Sequence, residues 1–219
     1  MSKFDDFMKL MNQYMSYHGF SFEICSDMRL TSYSGESKVS LVESDIRVMD
    51  MDIFAKKAYR KIILPDSLSE ADSINTADAF LINKCDEWYF VEFKDAKMSN
   101  AKTGVLKKAY SNVYAVMDVL YAMKEKNIEY PPFDYGNPIQ FFRTHVRYIL
   151  VFRGTLNPHY AMQLKNHRLK HEHYLPEFMK RLEGYIYKEA YAVTEDVFEH
   201  TFLRDFAFWC YPAYLRRGH

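Results

Sequence analysis

Residues 77–94 read ADAFLINKCDEWYFVEFK, and this stretch decides the fold. Two runs rich in apolar and aromatic residues, 77–83 and 88–94, have the length of β-strands, and the polar connector between them is short enough for a hairpin. Side chains alternate between the two faces of a strand, so Glu92 and Lys94 share one face. The stretch therefore predicts a hairpin whose second strand carries an acid and a base on the same side.

The length of the hairpin loop determines where Asp78 lies. A three-residue loop allows two registers, with Asp78 opposite either Glu92 or Lys94, and both registers place the three side chains on one side of the sheet. A two-residue loop would turn Asp78 to the opposite face. The chemistry expected of the hairpin therefore depends on its loop.

Two neighbouring carboxylates on a largely apolar face are costly, because they repel each other and lose their hydration. A divalent cation removes this cost, and Mg²⁺ binds one or two carboxylates together with waters and substrate phosphate oxygens. A lysine one step along the strand can orient or activate the attacking water and stabilise charge on the phosphate. The pattern suits phosphodiester hydrolysis, and the alternative interpretation is a cross-strand salt bridge.

The pattern Asp-x(13)-Glu-x-Lys across a hairpin, followed by a long helix, resembles the PD-(D/E)xK nuclease superfamily. The matching residues are Asp78, Glu92 and Lys94. The resemblance implies a restriction-endonuclease-like αβββαβ core over about residues 45–155, with a mixed sheet flanked by helices. It also implies Mg²⁺ or Mn²⁺ at the two carboxylates and a catalytic lysine, with the carbonyl of Phe93 as a further metal ligand.

The chain departs from the family pattern in two places. Ala77 precedes Asp78 where many members have a proline, and the strand expected before this aspartate is not evident. Some members also carry an acidic residue in the first core helix, for which Glu43, Asp50 and Asp52 are the candidates.

The remaining elements complete an α/β domain that covers residues 1–219, with helical additions at the N-terminus and in a C-terminal extension, 156–219. The stretch 26–44 is predicted to form a loop or a short hairpin, and Asp50 or Asp52 to cap the second helix. Periodicity predicts helices over 3–18, 53–63, 102–126, 158–170, 175–183 and 195–208, and further strands over 144–152 and 185–193.

Composition indicates a globular protein. Hydrophobic residues make up 48% of the 219 positions and charged residues 26%, which excludes disorder over most of the length. Aromatic residues reach 17%, which indicates an aromatic core or a surface that stacks on bases. The three cysteines form no CxxC pair, and no secretory signal or membrane span is evident, so we expect a cytoplasmic protein with no membrane partner.

The charge distribution indicates where nucleic acid would bind. The chain is neutral overall, but residues 93–171 carry 13 basic and 5 acidic residues, a net charge of +8. The expected contacts with a nucleic-acid backbone come from four lysines, with a solvated helix end as the alternative. These lysines are Lys97, Lys102, Lys107 and Lys108.

The function expected from the resemblance is a metal-dependent nuclease that hydrolyses phosphodiester bonds in DNA or RNA, with a homodimer left open. The alternative is a catalytically inactive module of the same fold that binds nucleic acid or protein. A third hypothesis, an interaction domain without nuclease ancestry, predicts that Asp78 and Lys94 point to opposite faces of the sheet.

Overall fold

The structure is a computed structural model that describes residues 2–64 and 74–204. Its α-helices are α1 (Lys3–Tyr17), α2 (Met28–Thr31), α3 (Met51–Ile53), α4 (Arg60–Ile63), α5 (Met98–Glu125), α6 (Pro138–His145), α7 (Pro158–Leu169) and α8 (Glu195–Val197). Its strands are β1 (Cys25–Asp27), β2 (Tyr33–Ser34), β3 (Val39–Ser40), β4 (Arg47–Asp50), β5 (Ala79–Ile82), β6 (Trp88–Lys94), β7 (Val146–Phe152) and β8 (Glu189–Thr194). Among the described residues, no helix is both long enough and apolar enough to cross a membrane.

Six strands form one mixed sheet in the order β1-β4-β5-β6-β7-β8, and β2 and β3 form a separate hairpin. The strands from β1 to β6 pair antiparallel, whereas β6, β7 and β8 pair parallel. Helix α5 makes the long crossover that the parallel pair β6 and β7 requires. The predicted α/β class, with a mixed sheet flanked by helices, is confirmed.

Helical segments cover both faces of the sheet. On one face, Phe7 of α1 packs against Phe80 and Trp88, with ring centroids 4.9 and 5.2 Å apart, and α5 packs beside α1. On the other face, Tyr89 contacts Phe202, which lies in a π-helical segment that follows α8, Phe198–Leu203. Because both faces are covered, every residue of β5 and β7 is buried.

The structure contains two sheet strands that the sequence pattern does not reveal. The strand expected before Asp78 is β4, which pairs with β5 through Met49 opposite Phe80. The predicted loop or hairpin over 26–44 contains the β2 and β3 hairpin together with α2, and β1 ends inside it at Asp27. Both missed strands have only three or four residues, too few to show an alternating pattern.

One predicted helix is wrong, and the strand predicted over 185–193 begins four residues later than predicted. The stretch 175–183 forms only a 3-10 turn, Glu177–Met179, because the chain at Pro176 is extended. The strand predicted over 185–193 begins at Glu189 instead, since a turn closes around Gly184, whose φ of 70° favours glycine.

Side-chain caps move the starts of two helices. The helix predicted over 53–63 begins at Met51 instead, as α3, because the Asp50 carboxylate accepts a 2.7 Å hydrogen bond from the Ile53 N–H. A π-helical segment, Phe54–Tyr59, then joins α3 to α4. The long helix begins at Met98, where the Met98 N–H donates to Asn157 Oδ1 at 2.8 Å, and not at 102. The predicted helix 195–208 is helical up to 204, and its remaining residues lie outside the described range.

The aromatic residues are used mainly in the core. Trp88 is fully buried at the centre of a cluster of rings with centroids 4.9 to 6.4 Å from its own. The cluster consists of Phe7, Phe80, Tyr130, Phe133, Phe141 and Phe142. It joins four parts of the chain: α1, the hairpin, α6, and the loop that follows α5. Its packing holds these parts together.

Replacing Phe7 by alanine should lower the free energy of unfolding by about 3–5 kcal/mol, because the change leaves a cavity in this cluster. Urea denaturation followed by circular dichroism measures the loss. Tyr17 is 59% exposed at the end of the same helix, and Tyr17→Ala is the matched control, with an expected change within about 0.5 kcal/mol. Equal losses in the two variants would show that the cluster does not stabilise the fold in this way.

Candidate active site

Asp78 lies directly before β5, where the hairpin of β5 and β6 contacts α3. Its N–H donates to the carbonyl of Val91 at 3.1 Å, and its own carbonyl accepts from the Met51 N–H at 3.2 Å. Its carboxylate oxygen Oδ2 accepts a 2.6 Å hydrogen bond from the Phe93 N–H. Two neighbouring segments, β6 and α3, therefore fix the position of this residue.

The observed register places Asp78 level with Glu92. Ala79 pairs with Val91 and Ile82 pairs with Trp88, so the hairpin loop has five residues, two more than the loop considered from the sequence. An odd number of loop residues preserves the face, so the register is one of the two predicted.

Glu92 is the buried centre of the site. Its side chain is 0% exposed, and Oε1 lies 2.5 Å from Lys94 Nζ. Lys94 ends β6 and is 22% exposed, so its ammonium contacts the buried carboxylate while part of the side chain remains accessible to solvent. The hypothesis that predicted Asp78 and Lys94 on opposite faces does not agree with this arrangement.

Lys108 of α5 bridges the two carboxylates. Its Nζ lies 2.9 Å from Asp78 Oδ1 and 2.9 Å from Glu92 Oε2, and the side chain is only 15% exposed. The other three lysines predicted to contact nucleic acid, Lys97, Lys102 and Lys107, are exposed on or next to the first turns of the helix. Lys108 thus belongs to the carboxylate cluster, apart from the other three.

The sequence contains a signal for the position of Lys108 that the charge analysis did not use. Lys108 follows Val105 by three residues and precedes Asn112 by four, and both of these are buried. Residues at these spacings share one face of a helix. The lysine therefore lies on the stripe of α5 that packs on the sheet.

The burial of the cluster sets its proton equilibria. Burial and the neighbouring charge of Asp78 raise the pKa of Glu92 from 4.5 to about 7, while Lys108 and Lys94 oppose the rise. Burial lowers the pKa of Lys108, but the charges of Glu92 and Asp78 outweigh it, so this pKa lies above its ordinary value. Lys108 therefore stays charged, and the Glu92 carboxyl group gains or loses its proton near neutral pH.

Of the three acidic candidates, Asp50 is the last residue of β4 and the N-cap of α3, and its carboxylate interacts electrostatically with that of Asp78. Burial raises its pKa, the Ile53 N–H lowers it, and the charges of Asp52 and Asp78 raise it further. Asp52 pairs with Lys56 at 2.5 Å on the exposed side of the helix. The third candidate, Glu43, forms no part of this group: its N–H lies 3.5 Å from a carboxylate oxygen of Glu199.

The donor set fits a divalent cation in its chemistry. Asp78 Oδ1 and Glu92 Oε2 surround one point that a cationic nitrogen now occupies, and carboxylate oxygens are the ligands that Mg²⁺ prefers. The Phe93 carbonyl lies on the same strand edge as its N–H, which Asp78 accepts. Across 2–64 and 74–204, no group of three or more His, Cys, Asp or Glu side chains is placed to hold a metal. Water and substrate oxygens would complete the coordination.

No family model, curated protein or solved structure matches the chain. The geometry of the cluster therefore carries the functional argument.

Part of the basic excess lies inside the fold. Arg147 is fully buried and pairs with Glu87 and Glu189, at 2.7 Å from each. Arg153 pairs with Asp95 beside the end of β6. These arginines are neutralised by their partners, so they add little to a surface that would attract phosphate.

The raised pKa of Glu92 predicts a pH-dependent contribution to stability. The folded state holds the Glu92 proton from pH 4.5 up to about 7, so this contribution is complete below 4.5 and is lost as the pH rises through about 7. Glu92→Gln should remove this dependence, which amounts to about 1–3 kcal/mol.

Urea unfolding at a series of pH values between about 5 and 8 measures this contribution. Glu125→Gln is the control, because Glu125 is exposed near the far end of α5. The same pH slope in wild type and Glu92→Gln would contradict the assignment.

Proposed function

We propose that the chain is a metal-dependent nuclease that hydrolyses phosphodiester bonds in nucleic acid, with DNA as the first substrate to test. One observation carries the proposal: Asp78 Oδ1 and Glu92 Oε2, from two neighbouring segments, both lie 2.9 Å from a single cationic nitrogen. Lys94 lies beside the same pair. A fully buried and a partly buried carboxylate arranged around one cation, with a second lysine beside them, suit metal-assisted hydrolysis.

The order of elements supports a restriction-endonuclease-like core. Helix α1 is followed by β4, β5 and β6, which pair antiparallel, and then by α5 and the parallel strand β7. This order corresponds to αβββαβ with three insertions: β1, α2 and the β2 and β3 hairpin after the first helix, the helical segment from α3 to α4 between β4 and β5, and α6 before β7. The proposed fold gives the strand before Asp78 a clear candidate in β4.

The residues divide the chemical work between them. Asp78 and Glu92 would hold the cation, and the Phe93 carbonyl would add a ligand. When bound, Mg²⁺ or Mn²⁺ supplies Lewis acidity and lowers the pKa of water in its coordination shell. The Lys94 ammonium lies beside Glu92 Oε1 on a side chain that is 22% exposed, so it can orient the attacking water next to the carboxylates and stabilise charge on a phosphate.

The surface next to the site suits a polyanion. Lys97, Lys102 and Lys107 are exposed along the start of α5, which follows Lys94 after a short connection. The first turn of this helix has no acidic residue. We propose that these lysines contact the phosphate backbone while the carboxylates act on one phosphodiester bond.

A second candidate function is a nucleic-acid-binding module without catalysis. Lys108 gives both carboxylates a cationic partner, so the cluster is neutralised without a metal. The exposed lysines would bind a phosphate backbone equally well in such a module.

The test is cleavage of single- and double-stranded DNA and RNA in the presence of Mg²⁺ or Mn²⁺. Glu92→Gln and Lys94→Ala should each lower the cleavage rate by about 100-fold or more, because each removes a group that acts in the transition state. Glu125→Gln and Lys126→Ala are matched controls at the far end of α5, and both should cleave as the wild type does.

The other results have equally definite meanings. Cleavage that survives both Glu92→Gln and Lys94→Ala would overturn the assignment of the site. A wild-type protein that binds these nucleic acids without cleaving them would favour the binding module.

A further inference from the structure

Lys108 occupies the position that a metal ion would take. Its Nζ is equidistant, at 2.9 Å, from one oxygen of Asp78 and one of Glu92. The other ammonium of the cluster, on Lys94, contacts the remaining oxygen of Glu92, at 2.5 Å. Of the two lysines, Lys108 alone joins both carboxylates.

The charge balance makes the two cations alternatives. When both carboxylates are ionised, the two carboxylates and two ammonium groups give a cluster without net charge, and its central carboxylate, Glu92, is fully buried. A divalent cation added to this cluster would leave it with two uncompensated positive charges in a poorly hydrated place, which is unfavourable. The entry of a metal ion therefore requires the departure of an ammonium.

The structure gives Lys108 a route out of the cluster. Long side chains on a helix lie over the preceding turn, which for Lys108 contains Gly104. Gly104 is exposed, and a Cβ built there would meet no atom within 4 Å. This open space lets the flexible stem of Lys108 turn toward solvent while α5 keeps its place.

We infer that Lys108 is a tethered cation that competes with divalent metal for the position between Asp78 and Glu92, so that metal occupancy is controlled by this side chain. The inference rests on the proposed function only for the identity of the metal site. Lys108 is thus a regulatory residue of that site, and the carboxylates remain its ligands.

The test measures Mn²⁺ binding to the full chain without nucleic acid, by titration calorimetry and by the electron paramagnetic resonance signal of free Mn²⁺. Lys108→Met keeps the length and apolar stem of the side chain and removes its charge. This variant should bind Mn²⁺ at least about tenfold more tightly than the wild type, because the competing cation is gone. Adding Glu92→Gln to Lys108→Met should abolish the gain.

Two comparisons separate competition from general electrostatics. Lys126→Met removes a charge at the distant end of the same helix and should bind Mn²⁺ as the wild type does. Lys94→Met removes the other ammonium of the cluster but leaves the bridge intact, so its gain should be clearly smaller than that of Lys108→Met.

Each further outcome has a definite meaning. Equal affinities in wild type, Lys108→Met and Lys108→Gln, with all three shown to be folded by their thermal transitions, would overturn the inference. An equal gain in Lys94→Met and Lys108→Met would also overturn it, because charge alone would then explain the effect. A gain in Lys108→Met without any cleavage of nucleic acid would support the inference while the proposed nuclease function fails.

Discussion

The contacts of Asp78 are the constraint on which the rest of the site depends. One carboxylate oxygen accepts the Phe93 N–H, the other contacts the Lys108 ammonium, and the backbone carbonyl accepts the Met51 N–H. These contacts connect the hairpin, the long crossover helix α5 and the short helix α3 at a single residue. The position of Glu92 follows from the register of the hairpin, which sets Asp78 level with Glu92 and brings the two carboxylates together.

The sequence predicts the parts of the fold with strong local patterns. The strand over 88–94 agrees residue for residue with the structure, since its apolar run is interrupted only by Glu92, and polar residues, Glu87 and Asp95, flank it. The strand β4 was not predicted, because four residues cannot show a pattern, and the sheet itself stabilises it through Met49 opposite Phe80. Tertiary pairing of this kind leaves no trace in local sequence.

The same distinction applies to the candidate site. The shared sheet face of Asp78, Glu92 and Lys94 could be predicted for a hairpin loop with an odd number of residues. The bridging role of Lys108 could not, because it depends on how α5 lies on the sheet. Its place on the buried stripe beside Val105 indicates burial, but the partner in that burial is known only once the crossover is in place.

The wide separation of the parallel pair along the chain has a consequence for how the protein folds. Glu92 in β6 pairs with Leu150 in β7, 58 residues later, whereas Asp78 and Glu92 are brought together by a local hairpin. Loop closure makes distant pairings slower to form than local ones. We therefore expect the hairpin to bring Asp78, Glu92 and Lys94 together early, before the crossover helix docks and Lys108 completes the cluster.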